Sequence, residues 1–312
     1  MRKPIAQHTT APGPHRAGTR GGAPGRGRRA VALTATAATL AASAVAVGAS
    51  GASAGGGTDE VDRHGRGGPR TVCADASLLF CEDFERLPVG GAASMRWGID
   101  TRAGTLTVEK IRTEQPGPYG RPGQRGRQAH ALRVHTADNG RAFMVIPVDP
   151  PENSFYGRIR VKVDEFPTAP DWAHYTLVEA SGEGAGVVRP IVGQYAPTVP
   201  GVFWGVGSDG GPTGDWTSWQ ESSPSVADRW QCVEWQLDAS DNRVQVWIDG
   251  DLQEELTVDT ETAGGADVPF VFPDFGEVKV GWQLYQGGTT PAEFDLWLDD
   301  VAFGTEQIGC DA

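Results

Sequence analysis

No stretch of this chain repeats its apolar residues at a helical interval. Short runs that alternate apolar and polar residues are instead separated by clusters of Gly, Pro, Asn and Asp. Alternation with a period of two is the pattern of a half-buried strand, and many such runs in succession specify an all-β sandwich. The runs are Leu78–Glu85, Thr105–Ile111, Ala131–His135, Ala142–Val148, Gly157–Asp164, His174–Ala180, Pro190–Tyr195, Gly201–Val206, Gln231–Asp238, Arg243–Ile248, Leu252–Val258, Glu277–Tyr285 and Asp295–Phe303. Asp249-Gly250 separates two of them and supplies the positive φ angles of a tight hairpin.

The alternation also assigns faces. Side chains of a strand point to opposite sides in turn. Ile159, Val161 and Val163 therefore oppose Arg158, Arg160 and Lys162. Val280, Trp282 and Leu284 oppose Lys279, Gln283 and Tyr285. Val244, Val246 and Ile248 oppose Arg243, Gln245 and Trp247. The expectation is a sheet with one apolar face and one polar, aromatic, partly basic face. Trp235 and Trp282, which alternate with Val or Leu, belong to the core.

The first 54 residues carry seven Lys or Arg and no Asp or Glu. A basic head, the Ala/Val-rich stretch from Ala30 to about Val47 and Ala52-Ser53-Ala54 form the three parts of an export signal. The apolar run is shorter than the ~20 residues a membrane-spanning helix needs. Arg28-Arg29 also permits twin-arginine export. Residues 55–70, rich in Gly, Arg and Asp, read as a flexible tether. Residues 71–312 form one β domain. Without the signal, 20 Lys and Arg face 40 Asp and Glu, a net charge of −20. So acidic a surface argues against nucleic acid and anionic membranes as partners.

The four cysteines are Cys73, Cys81, Cys232 and Cys310. An even count in an exported chain implies two disulfides. If the first and last strands pair antiparallel, Cys73–Cys310 with Cys81–Cys232 is favoured, and the local bridge Cys73–Cys81 is the alternative. Their spacing does not suit zinc.

Three constellations carry chemistry. Sugars stack their C–H faces on aromatic rings, and Trp204, Trp216, Trp219 and Trp247 lie beside polar residues suited to sugar hydroxyls. Cleaving a uronate polymer by β-elimination needs a group to neutralise the carboxylate, a base and an acid. Arg158, Arg160, His174, Gln194, Gln283 and Tyr285 supply those types, with Lys162 and Lys279 as further cations on the polar face. Finally, Glu82-Asp83-Phe84-Glu85 in the first strand and Asp299-Asp300 in the last offer hard oxygen ligands. If the two strands pair, Glu85 and Asp299 would hold a structural Ca²⁺. No nucleophile-elbow, zinc-protease, P-loop or dinucleotide motif is present. A hydrolase would have to draw on acids such as Glu179 and Glu234.

Several segments together resemble a known family. They include Leu79-Phe80-Cys81-Glu82-Asp83-Phe84-Glu85, Phe155-Tyr156-Gly157-Arg158-Ile159-Arg160, Val192-Gly193-Gln194-Tyr195, Trp230-Gln231-Cys232-Val233-Glu234-Trp235 and Trp297-Leu298-Asp299-Asp300-Val301. The set resembles secreted proteins akin to the fungal cellulose-induced protein core. The resemblance implies a concanavalin-like jelly-roll β-sandwich of two curved antiparallel sheets, similar in fold to alginate and glucuronan lyases, with a bound calcium. It implies a groove Arg at Arg158 or Arg160, a Gln at Gln194 and a Tyr at Tyr285. Two departures stand out. Gln194-Tyr195-Ala196 replaces the Gln-Ile-His triplet of alginate lyases, so the His would come from His174. Arg158-Ile159-Arg160-Val161-Lys162 replaces their Arg-x-Glu-x-Arg strand.

The expectation is thus a secreted, monomeric polysaccharide-active protein. A lyase acting on a uronate polymer is the leading reading, and a non-catalytic carbohydrate-binding module is its rival.

Overall fold

The computed structural model describes residues 72–112, 128–168, 172–184, 186–195, 202–211, 216–218, 224–259, 271–287 and 293–310. All of them belong to one compact unit, Arg63–Ala312. The export segment and the tether lie outside the described residues.

The strands are β1 (Phe80–Glu82), β2 (Gly98–Arg112), β3 (Gln128–Pro147), β4 (Phe155–Val163), β5 (Ala173–Glu183), β6 (Val187–Tyr195), β7 (Val202–Asp209), β8 (Trp216–Ser218), β9 (Trp230–Asp238), β10 (Arg243–Ile248), β11 (Asp251–Leu252), β12 (Asp274–Gln286) and β13 (Glu293–Gly304). They form one antiparallel sheet in the order β11-β10-β9-β4-β13-β3-β12-β5-β6-β7-β8, with β1 added on β13 and β2 on β3. The sheet is curled into a concanavalin-like jelly roll.

The curl is made at β3. Its residues 132–137 pair with β13 and its residues 141–147 pair with β12. Strand β2 follows β3 through both parts. Between them Asp138 takes φ 54°. A Cβ on Gly140 would meet the carbonyl oxygens of Ala137, Arg102 and Ala103, so only glycine fits where the two strands turn together. The register of β2 slips at the same point, between Arg102 and Gly104. The two short runs expected at 131–135 and 142–148 are therefore one bent strand. The bend divides the sheet into a β13 half (β11, β10, β9, β4, β13) and a β12 half (β12, β5, β6, β7, β8).

Both halves feed one core. Val278, Val280, Trp282 and Leu284 are buried on β12, Ile159, Val161 and Val163 on β4, and Val244, Val246 and Ile248 on β10, as the alternation predicts. Trp235 and Trp282 are fully buried. Burial of apolar side chains at about 25 cal/mol per Å² is the main force holding the two halves together. Tyr175 stacks on Trp282 at 4.7 Å between ring centroids. Gly193 lies opposite Tyr175 in the ladder, and a Cβ there would overlap its ring. The glycine of Val192-Gly193-Gln194 thus makes room for the tyrosine beneath, while Gln194 takes the opposite face.

Asp249 and Gly250 both have positive φ, at 53° and 91°, and join Ile248 to Asp251 in a two-residue hairpin. The strand expected over Leu252–Val258 ends at Leu252 and gives way to a 3₁₀ turn, Glu254–Leu256. That turn buries Leu256 while Glu254 and Glu255 stay exposed, which an extended run could not do.

The first and last strands do pair, with Glu82 opposite Val301. The favoured disulfides nevertheless do not form. Cys73 sits in a 3₁₀ turn, Val72–Ala74, that folds back to Cys81 with a Cα–Cα distance of 5.3 Å. The C-terminal segment crosses to β9, where Ile308 N and Gly309 N donate to Glu234 Oε1, and Cys310 joins Cys232. Peptide mapping of the unreduced protein should recover Cys73 linked to Cys81 and Cys232 linked to Cys310. A peptide joining Cys73 to Cys310 would contradict this arrangement.

Candidate functional site

The outer face of the β12 half carries a line of polar side chains. Tyr285 of β12 lies opposite His174 of β5, which lies opposite Gln194 of β6. Directly opposed residues on neighbouring strands bring their Cβ atoms to about 5 Å, so three strands deliver these groups to one place. Gln283 donates from Nε2 to Tyr285 Oη at 2.5 Å. The exposed ring of Trp172 lies 5.1 Å from that of His174. In the next row Gln283 faces Arg141, which faces Arg102 on β2.

The charges here are partly matched. Lys279 pairs with Glu179 at 3.0 Å and with Asp100 at 3.4 Å. Arg141 Nε also donates to Asp100, at 2.9 Å. Burial alone would raise the Asp100 pKa, but Arg141 and Lys279 together hold it below the usual carboxylate range. Burial likewise opposes the charge on Lys279, and its carboxylate neighbours outweigh that and raise its pKa. Tyr285 is raised, mainly by burial; Asp209 and Glu179 add to this, and Arg189 and Arg102 act against it. The phenol therefore keeps its proton at neutral pH and is suited to donating it.

The arginines singled out in the sequence lie elsewhere. Arg158 and Arg160 are on β4, separated from β12 by β13 and β3. Arg158 is fully buried and, among the described residues, none of its three guanidinium nitrogens has a hydrogen-bond partner; Asp300 lies 3.9 Å away. The alternation is followed on β4, but this part of the outer face is roofed. Ala302, opposite Arg158, also pairs with Cys81, and Val72, Cys81 and Ala302 form a small second core. Arg160 lies opposite Asp299, away from Tyr285. Arg102, Arg141 and Arg189 are the arginines of the Tyr285 face instead. The visible signal was Arg141, which alternates with buried Ala142, Met144 and Ile146.

The other proposed substrate contacts also separate. Lys279 stays on the Tyr285 face. Lys162 and Trp247 are on β4 and β10 of the other half, Lys162 in an ion pair with Asp228 and Trp247 near the ring of Tyr156. Trp204 is a core residue, 1% exposed, packed edge-on against Phe166 at 6.0 Å and near Tyr175. Its neighbours Gly205 and Gly207 lack side chains to mark an alternating face, which is why the sequence misleads. Trp216 is on β8 and Trp219 lies outside the described residues. Glu179 and Glu234 fall on different halves, and Glu234 accepts from Gln307, Ile308 and Gly309, so they do not form a carboxylate pair for hydrolysis.

Pairing of β1 with β13 brings the two acidic segments together. Asp299 has its pKa pushed up to about 8, by burial first and then by Asp300, Glu85 and Asp83. Glu85 accepts from the backbone N–H of His130 at 3.2 Å. Among the described residues no three His, Cys, Asp or Glu side chains are gathered in a ligating cluster.

The fold is that of the cellulose-induced proteins. A family described as polysaccharide-lyase-like, Cip1-like core domain, matches residues 194–306. The solved structure of the cellulose induced protein Cip1 is 19% identical, with a TM-score of 0.51, covering 74% of this chain and 99% of its own. A family 16 glycosyl hydrolase protein from Mycobacterium smegmatis is 18% identical, with a TM-score of 0.45, covering 73% of this chain and 100% of its own. No curated protein sequence matches.

The core position of Trp204 has a direct consequence. Trp204→Ala should lower unfolding free energy by about 3–5 kcal/mol, read from urea denaturation. A variant as stable as the parent would return Trp204 to the surface.

Proposed function

We propose that this chain is a secreted, carbohydrate-active protein that cleaves a uronate-containing polysaccharide by β-elimination. The observation that carries the reading is the row Tyr285–His174–Gln194 on three adjacent strands, flanked by Arg141, Arg102 and Arg189. The fold and the polysaccharide-lyase-like match over residues 194–306 support it. Its two disulfides fit an oxidising, extracellular compartment.

The roles follow from the chemistry. Gln194 and an arginine of this face hold the uronate carboxylate and stabilise the negative charge that develops on it. His174 takes the proton from the carbon next to the carboxylate. The electron pair left behind forms a carbon–carbon double bond as the glycosidic oxygen departs, and Tyr285 gives that oxygen its proton. Gln283, bonded to the phenol oxygen, orients Tyr285. Trp172 offers a stacking surface for the sugar beside His174.

The product double bond is conjugated with the carboxylate and absorbs in the ultraviolet. Incubation with glucuronan, alginate or pectate should raise that absorbance. Tyr285→Phe and His174→Ala should each cut the rate by about 100-fold or more. Full activity in both variants would remove these assignments. The second reading is a binding module, favoured by the pairing of Lys279 and Arg141 with Glu179 and Asp100. Saturable binding without any absorbance rise would establish it in place of the lyase.

We further propose a structural calcium ion held by Asp299 and Glu85. The support for it is that Asp300, Glu85 and Asp83 all act on Asp299 across the β1–β13 pairing, and hard carboxylate oxygens suit an ion that takes roughly six to eight oxygens. In this position it would tie the first strand to the last. Chelator should lower the melting temperature, and Asp299→Ala should abolish that sensitivity. Unchanged melting in chelator would exclude the ion.

A further inference from the structure

The outer face of the β13 half carries a second cross-strand row, distinct from the Tyr285 face. Trp230 of β9 lies opposite Lys162 of β4, Lys162 opposite Trp297 of β13, Trp297 opposite Arg133 of β3, and Arg133 opposite Thr107 of β2. All five are partly exposed, and their strand neighbours Val161, Leu296, Leu298, Leu132 and Val134 are buried in the core. The row therefore runs straight across five strands on the solvent side.

Three properties of the row point to one kind of occupant. Its aromatic rings stand on strands separated only by β4, so they are two strand spacings apart, about 9.5 Å. That distance matches the advance of one disaccharide unit along an extended β-1,4-linked chain, in which every second sugar presents the same face. Its cations are neutralised within the protein. Lys162 pairs with Asp228 at 2.6 Å, and Arg133 pairs with Asp295 at 2.8 Å and Glu109 at 3.4 Å. Two cations thus stand among three carboxylates, so a neutral chain meets no free cation in this row, whereas a polyanion meets an excess of carboxylate. Finally, the ring of Trp297 is held in place. Its Nε1 donates to Glu109 Oε2 at 3.2 Å and the Lys162 ammonium lies 5.8 Å from its centroid. Fixing an aromatic ring before binding lowers the entropy cost of using it.

We propose that this row is a binding site for a neutral, extended β-1,4-linked polysaccharide, lying across the strands with sugars on Trp230 and Trp297. The carboxylates of Glu109 and Asp295 accept hydrogen bonds from sugar hydroxyls. Because the row and the Tyr285 line occupy different halves of the sheet, this site does not depend on the lyase reading.

The test is calorimetric titration of the full-length chain with cellohexaose. Binding should be saturable, and Trp230→Ala and Trp297→Ala should each weaken it by about ten-fold or more. Each ring is partly buried, so a third variant separates binding from folding. Thr107→Arg leaves both rings in place and puts a long side chain at the end of the row; it should weaken binding while leaving the melting temperature near that of the parent. No binding by the parent chain overturns the proposal, as does binding that all three variants retain.

Discussion

Everything in this molecule depends on one strand belonging to two partners. β3 spends its first part beside β13 and its last part beside β12, and β2 turns with it. The turn needs a residue without a side chain at Gly140, where three carbonyl oxygens converge. Once that bend is made, the apolar faces of the two halves meet and the outer faces turn away from each other. The polar rows on those faces are thus positioned by one backbone constraint, which adjoins Arg141 and Arg102 on the Tyr285 face.

The fold was largely legible because strand alternation reports burial directly. β4, β10 and β12 each present the faces that their sequences specify. The hairpin at Asp249-Gly250 was equally plain, because its φ angles demand those residues. What alternation cannot report is which strands are neighbours. Arg158 and Tyr285 both stand on outward-facing positions, yet β13 and β3 lie between their strands. Nor can it report a roof. Arg158 obeys the pattern and is still buried, because the two terminal segments close over it. Cysteine pairing was misread for a related reason: a fold-back at Val72–Ala74 is invisible to an argument built on strand ends.

The two outer faces have different electrostatic character. On the Tyr285 face, Arg102 and Arg189 act on the phenol from the sides while Lys279 and Arg141 share Asp100 with each other. On the opposite half, each cation of the Trp297 row has an acid of its own. Asp295 shows the strength of that matching. Burial alone would raise its pKa, yet hydrogen bonds from Arg133 and His135 hold it below the normal range. A chain of net charge −13 thus fixes several basic residues beside acidic partners, Lys279 and Arg141 on one face and Lys162 and Arg133 on the other.

The terminal roof has a mechanical consequence. A pull applied to the segment before Val72 does not peel the first turn away, because Cys73–Cys81 passes the load into β1. From there it is shared across the β1–β13 ladder. A pull from the other end is taken up at Cys232, in the middle of a three-strand stretch of sheet, through Cys310. Covalent bonds thus bypass the weakest parts of the chain at both ends. The load then passes between Cys81 and Cys232 through the ladders β1–β13, β13–β4 and β4–β9, so three rows of backbone hydrogen bonds, and not the chain ends, carry it.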